Sequence, residues 1–482
     1  MTQPCDLDAV EARRLIGLKQ LSPVELLESC LARIEEVDGS LNAITAVDAK
    51  GARKAAKEAE KQALKGEPLE VLHGLPVAVK DLQATKGLRT TWGSLIYKDH
   101  VPEADDPMVA NVRAAGGVIF AKTNTPEFGA GANTTNRVFG ATGNPFDPEK
   151  TCGGSSGGSG VAVATGMASL ATGSDHGGSL RTPAAFCGVA GYRPSPGLIP
   201  RLGTPVSLLP MPVAGPMGRT VADAHLLLKA QVAFDKRDPY SSDDVMRLPD
   251  VLSGVDLGSL RVAVSTDLGC APIDKDIAST FREKVQAFGS FFREVQERGP
   301  DLEGVHESFE VLRAIHFVAA HKERLEKHRD LLGPNVINNT ERGLKYTLPD
   351  VAHAHAVQTR LYKTFVEFFE DADILICPAA SVTPFPHSQL FVESINGEKM
   401  PTYMRWLAIT YALTMALPAA CCLPCGTDHK GMPFGIQVVG PNGSDALVLE
   451  VAHALEKAMA DTRETARPLP DLAALKDGRK NS

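Results

Sequence analysis

Short apolar runs bounded by glycine and proline alternate with stretches of helical periodicity along most of this chain. The first periodic stretch opens at Leu21-Ser-Pro-Val-Glu25: Ser22 can act as N-cap, Pro23 takes the first helical position and Glu25 completes a capping box. Apolar positions at helical spacing carry this helix to about residue 37. A second helix, rich in Ala, Lys and Glu and therefore an outer one, is predicted over 46–64. From Leu72 the runs shorten. Pro76-Val-Ala-Val79 and Gly117-Val-Ile-Phe-Ala121 read as buried strands, with a helical segment over 107–115 between them. That alternation predicts an α/β sheet. Strand signals return at Asp373-Ile-Leu-Ile376, 418–424 and Gly435-Ile-Gln-Val-Val439, followed by a helix over 444–459, so the N-terminal and C-terminal strands are expected in one sheet. The segment 245–370 is more polar and more helical, with long helices predicted over 274–298 and 351–370.

Composition narrows the class without naming an activity. With 482 residues, 43% apolar and 22% charged, the chain is globular and neither disordered nor fibrous. A net charge of −8 with no run of like charge argues against nucleic acid or an anionic membrane as partner. Nine scattered cysteines argue for reduced thiols, and residues 1–15 lack the pattern of a secretory signal, so a cytoplasmic location is expected. The pair in Cys422-Leu-Pro-Cys425 lacks a second ligand pair and sits in an apolar run that reads as a buried strand, so no metal is assigned. The stretch 410–423 is too short, and too broken by Pro418, to span a bilayer.

Candidate chemistry concentrates in 140–200, where Gly, Ser, Ala and Thr dominate. Two motifs stand out, Gly153-Gly-Ser-Ser-Gly-Gly-Ser159 and Asp175-His-Gly-Gly-Ser-Leu-Arg181. Glycines beside a hydroxyl let backbone N–H groups converge on a substrate carbonyl. The N–H groups of His176, Gly177 and Gly178, with that of Ser179, form a candidate oxyanion hole, in which each donor is worth about 3 to 4 kcal/mol in the transition state. Ser179 is then placed to attack. It needs a base, and no histidine has a partner acid at a familiar spacing. Lys80, at the end of an apolar strand, can serve if burial lowers its pKa from about 10.4 toward neutrality.

The segment 151–200 closely resembles the signature of the amidase signature family. The likeness extends to His73-Gly-Leu-Pro-Val-Ala-Val-Lys-Asp81, Lys122-Thr-Asn-Thr-Pro-Glu-Phe128, Arg181-Thr-Pro-Ala-Ala-Phe-Cys-Gly188, Gly215-Pro-Met-Gly-Arg-Thr-Val-Ala-Asp223 and Pro433-Phe-Gly-Ile-Gln-Val-Val-Gly-Pro441. Carried over residue by residue, the resemblance implies a Ser-cisSer-Lys triad. Ser179 is its nucleophile, Ser155 the serine after a cis peptide and Lys80 its base. It also implies that Gly129 and Ser155 touch substrate; Asp175 and Arg181, which flank the nucleophile loop, are expected to fix its shape by hydrogen bonds. Two departures stand out: His176 where the family more often has Thr, Ile or Ser, and Tyr192-Arg193 in place of Leu-Lys. A packed, neutral imidazole is expected at His176, whose backbone donor does not depend on its side chain.

What the resemblance implies is a single amidase domain over 1–482, of α/β class with a mixed central sheet surrounded by helices. Its parts are N-terminal helices (1–70), a catalytic core (71–245), a variable helical cover (246–370) and C-terminal strands and helix of the same sheet (371–482). The implied reaction is hydrolysis of a small-molecule linear amide in the stand-alone amidase branch, with aryl or alkyl amides, carbamates and hydrazides as candidate substrates. No metal or organic cofactor is expected, and a homodimer is expected by analogy. The pockets are expected from the cover and from loops near Gly129, Tyr192 and Trp406.

Four competing readings are weaker. Dinucleotide and Walker loops need G-x-G-x-x-G after an apolar strand or G-K-[ST], and neither is present. Gly153-Gly-Ser-Ser-Gly157 fits a nucleophile elbow with Ser155 as attacker. That elbow requires a preceding strand, whereas 144–151 is polar, and His316, His321, His353 and His355 read as solvated or packed helical residues. A glutamine-hydrolysing subunit of a transamidation complex would share the triad, but 401–413 offers no acid to hold a glutamine ammonium. A non-catalytic scaffold would not need all three triad residues.

Overall fold

The computed structural model describes residues 3–242 and 248–478. The expected boundary between core and cover, at 245/246, lies outside the described residues. Within them, the principal sheet has 11 strands. From one edge its order is Ile44–Val47, Val118–Thr123, Pro76–Lys80, Leu170–Asp175, Val213–Gly218, Ala190–Arg193, Ala419–Thr427, Pro433–Gly440, Ile374–Pro378, Arg261–Val264 and Glu294–Glu297. Strands from the two ends of the chain therefore share one sheet. Its pairing is mixed: Pro76–Lys80 runs parallel to both neighbours, whereas Val213–Gly218 runs antiparallel to both of its own. Every residue of Pro76–Lys80, Ile374–Pro378 and Pro433–Gly440 is buried, as continuous apolar runs covered on both faces require. The chain has an α/β fold, a mixed central sheet surrounded by helices.

The helix Pro23–Leu41 starts as the sequence dictates: Ser22 Oγ accepts from the N–H groups of Val24 and Glu25, and Glu25 answers with the Ser22 N–H. Cys422 and Cys425 lie in the buried strand Ala419–Thr427. No helix among the described residues is long and apolar enough to cross a membrane.

Three expectations are corrected. The start of the predicted 46–64 helix is the edge strand Ile44–Val47, paired with Val118–Thr123. The helix begins at Ala49, where Asp48 caps the N–H of Gly51 at 2.8 Å. The predicted 274–298 helix ends at Phe288, and Glu294–Glu297 is an edge strand. Its Glu-Val-Gln-Glu sequence, mostly exposed, carries no apolar alternation to announce it. A strand, Asp147–Thr151, does precede the first glycine motif. It pairs with Gly143–Asn144 in a separate two-stranded ribbon, outside the principal sheet from which a nucleophile elbow projects.

Candidate active site

Two short helices, Gly157–Ala164 and Arg181–Cys187, bring the glycine motifs together. Gly157–Ala164 is buried throughout, and a Cβ on Gly158 would lie 2.4 Å from the Asn124 nitrogen, so only glycine permits this approach. The strand Leu170–Asp175 ends at a loop that carries Ser179 and runs into the helix Arg181–Cys187. Gly178 in that loop has φ +121°, and a Cβ there would meet Thr410 Oγ1 at 2.2 Å. The Thr410 hydroxyl instead donates to the Gly177 carbonyl at 2.7 Å and ties the loop to a C-terminal helix.

Asp175 anchors the loop. Its carboxylate accepts from the N–H groups of Gly178 (2.9 Å) and Leu180 (3.1 Å), from Arg181 Nε and Nη2 (both 3.0 Å) and from Arg193 Nη1 (3.2 Å). Burial pushes its pKa up, but two guanidinium groups and these donors outweigh that and hold it well below the usual carboxylate range. Arg193, the departure noted in the sequence, is the second cation of this buried network, and Tyr192 turns away to donate to Asp445 at 2.7 Å.

Lys80 lies at the end of its strand with no solvent exposure. Parallel pairing of Val77 with Leu170 and Ala78 with Ala171 sets it beside the end of the next strand. Its Nζ is 2.8 Å from Ser155 Oγ, 2.8 Å from Ser156 Oγ and 3.0 Å from Ser174 Oγ. Burial drives its pKa well below the ordinary lysine value, and Asp175 pulls it back only in part. In its neutral form the amine has two N–H donors and one lone pair, which a neighbouring hydroxyl can meet. The Ser156 hydroxyl is held by the backbone of Ser174, donating to its carbonyl and accepting from its N–H, both at 3.3 Å. For Ser155 Oγ the only partner among the described residues is Lys80. The Gly154–Ser155 peptide bond is cis, and Ser156 N–H donates to the Ser179 carbonyl at 3.3 Å, which joins the two serine motifs.

Ser155, Ser174, His176, Gly177, Gly178, Ser179 and Gly129 all face one cavity of about 1030 Å³. Gly129 has φ +72°, and a Cβ on it would lie 3.4 Å from Ser155 Oγ. Of the expected oxyanion donors, the Gly178 N–H is engaged by Asp175. The N–H groups of His176, Gly177 and Ser179 have no partner among the described residues. The His176 ring is packed, as expected, and burial followed by the neighbouring His316 and Arg313 holds its pKa well below the ordinary imidazole range. It also lines the cavity.

Sequence reasoning missed Ser156 and Ser174, although a serine adjacent to each predicted site residue was a signal. It missed the aromatic wall of Trp92, Tyr97 and Phe128, in which Trp92 and Tyr97 meet edge to face with centroids 5.0 Å apart. His316 and His321, read as solvated or packed helical residues, are packed on the helix Val305–His328, and both also line the cavity. The loops expected at the pocket near Gly129 and Trp406 do line the cavity, through Gly129, Met404 and Leu407, while the Tyr192 and Trp406 side chains are buried in the core, Trp406 against Phe385.

Comparison with known proteins identifies the family. A family model described as Amidase matches residues 25–449. An acylamidase of Rhodococcus erythropolis is 32% identical over 448 residues, covering 92% of this chain and 94% of the relative. A glutamyl-tRNA(Gln) amidotransferase subunit of Anaeromyxobacter dehalogenans (strain 2CP-C) is 32% identical over 486 residues, covering 94% and 96%. The crystal structure of a bacterial aryl acylamidase of the amidase signature family superposes with a TM-score of 0.85 at 25% identity, covering 99% of each chain. The chain belongs to the amidase signature family and is a hydrolytic amidase.

Proposed function

We propose that this amidase cleaves small-molecule linear amides through an acyl-enzyme on Ser179, with Lys80 as base acting through Ser155. The observation that carries this reading is the buried Lys80, 2.8 Å from Ser155 Oγ, whose pKa burial drives well below the ordinary lysine value, so that its amine can take a proton from Ser155. Lys80 accepts the Ser155 proton as Ser155 accepts that of Ser179, and Ser179 Oγ attacks the carbonyl carbon. Negative charge develops on the carbonyl oxygen, where the N–H groups of His176, Gly177 and Ser179 are the available donors. When the C–N bond breaks, the proton returns through Ser155 to the departing amine. Water then attacks the Ser179 ester along the same relay, releasing the carboxylic acid and restoring the hydroxyl.

The wall of Trp92, Tyr97 and Phe128 favours an aryl group on the substrate, in line with the acylamidase relatives. Carbamates and hydrazides fit the same acyl chemistry. Nine free thiols, all but Cys270 buried, suit the reducing cytoplasm. Likeness to amidotransferase subunits supports a second reading, hydrolysis of glutamine within a transamidation complex. Release of amine from a panel of aliphatic amides, anilides, carbamates, hydrazides and glutamine, by wild type and Ser179→Ala in parallel, tests both. Turnover of anilides by wild type alone is expected; turnover of glutamine alone selects the second reading, and equal turnover by both proteins removes Ser179 as nucleophile.

A further inference from the structure

The proposed mechanism uses the floor of the cavity and leaves a cationic part of its wall without a role. Arg201, Arg313, His176 and His316 all line the cavity. The hydrogen bonds of the two guanidinium groups go to neutral acceptors: Arg201 Nη1 to the Pro212 carbonyl at 2.7 Å, and Arg313 Nη1 to the side-chain oxygen of Asn339. Arg313 is only 5% exposed and lies over Phe317, 4.3 Å from the ring centroid. A guanidinium held this deep without a carboxylate is unfavourable unless another anion meets it.

The two imidazoles add ring nitrogens without partners. His176 and His316 pack edge to face with centroids 5.1 Å apart, and the Nε2 of each is shut off from solvent with no partner among the described residues. Such atoms are normally satisfied in a folded protein. The carboxylates around them are committed elsewhere. Asp175 is held by Arg181 and Arg193, Asp238 accepts from the backbone of Arg201 and Tyr240, and Asp106 caps the helix Pro107–Ala114. Burial, with Arg201 and Arg313, brings the His316 pKa down to about 4, so this imidazole is a neutral donor or acceptor.

We propose that Arg201, with Arg313, His176 and His316 around it, forms an anion subsite, and that the preferred amides carry a carboxylate on the part that reaches it. The proposal rests on the amide-hydrolysing role of the cavity and specifies its substrate class. Only one arm of the Arg201 fork is engaged, and the remaining donors match a planar carboxylate as an ammonium could not.

The test is calorimetric titration of Ser179→Ala with succinamate, adipamate and terephthalamate, each beside its methyl ester. At least one acid is expected to bind about tenfold or more tightly than its ester. Adding Arg201→Gln is expected to bring that ratio to within about threefold. Arg201→Lys covers the case in which the glutamine variant does not fold; it keeps the charge without the fork and should lose part of the preference. Acids that bind no better than their esters, or a preference untouched in the folded variants, overturn the proposal. Binding to Ser179→Ala does not depend on turnover. Acid preference without hydrolysis by the unsubstituted enzyme therefore removes the amidase mechanism and leaves the subsite. Hydrolysis of neutral amides without acid preference does the reverse.

Discussion

Around Lys80 the polar contacts come from adjacent strands and the loops between them, and the participants Ser155, Ser156, Ser174 and Asp175 lie close together in the chain. The wall over that floor is assembled otherwise: Arg201 sits on a loop, Arg313, His316 and Phe317 on the helix Val305–His328, and Met404 beyond them near the C-terminal strands. The floor is made of small side chains held at fixed hydrogen-bond distances. The wall is made of large side chains whose positions depend on how distant segments pack. Proton transfer tolerates little displacement, whereas a pocket can change its lining while the chemistry beneath it stays the same.

The largest effects are expected on the floor. Ser179→Ala should lower kcat by about 10⁴-fold or more, and Lys80→Met, which fills similar space without a basic nitrogen, by at least about 10³-fold, both read from initial rates with an anilide. Comparable loss from a wall substitution such as Phe128→Ala would erase the distinction between the two regions. Asp175→Ala leaves Arg181 and Arg193 buried together without their anion. It should destabilise the fold by about 3 to 5 kcal/mol, seen as a lowered denaturant midpoint.

Titration gives the next effect. In the proposed mechanism the active form of Lys80 is neutral, so kcat/KM should rise with pH and level off well below the ordinary lysine value of 10.5. The sign for stability follows from the same shift. Between the lowered pKa and 10.5 the unfolded chain holds a proton that the native chain does not, so the Lys80 contribution to stability increases with pH across that window. A rate that climbs only near 10.5 would mean an unperturbed lysine. At the border of the two regions, Gly129→Ala forces a side chain to φ +72° and places its Cβ 3.0 Å from Leu82 Cδ1. It should cost about tenfold in kcat/KM, less than any triad substitution. The smallest effect is none: prolonged dialysis against a chelator should leave the rate unchanged, and restoration by a divalent metal would contradict the serine mechanism.

The same contrast explains what the sequence made legible. Ser155, Ser179 and Lys80 carry local signals, namely glycines beside a hydroxyl and a lysine closing an apolar strand. The convergence of Ser156 and Ser174 on Lys80 depends on strand register, Val77 against Leu170, which no local pattern specifies. Gly178 was expected to donate to substrate, but its N–H is taken by a carboxylate three residues earlier, a contact visible only once the loop has closed. The wall was the least legible part. His316 and Arg313 occupy ordinary helical positions, Tyr192 and Trp406 look like pocket aromatics but face the core, and the strand Glu294–Glu297 reads as the end of a helix.

The central claim, that Ser179 is the residue acylated and that Lys80 activates it, is tested most directly by locating the covalent adduct. Enzyme treated with a serine-reactive fluorophosphonate, digested and mapped by mass spectrometry, should carry the label on Ser179 alone. The rate of labelling should fall in Lys80→Met in proportion to the loss of turnover. Label on Ser155 or Ser174, or labelling of Ser179 at an undiminished rate in Lys80→Met, would contradict the account.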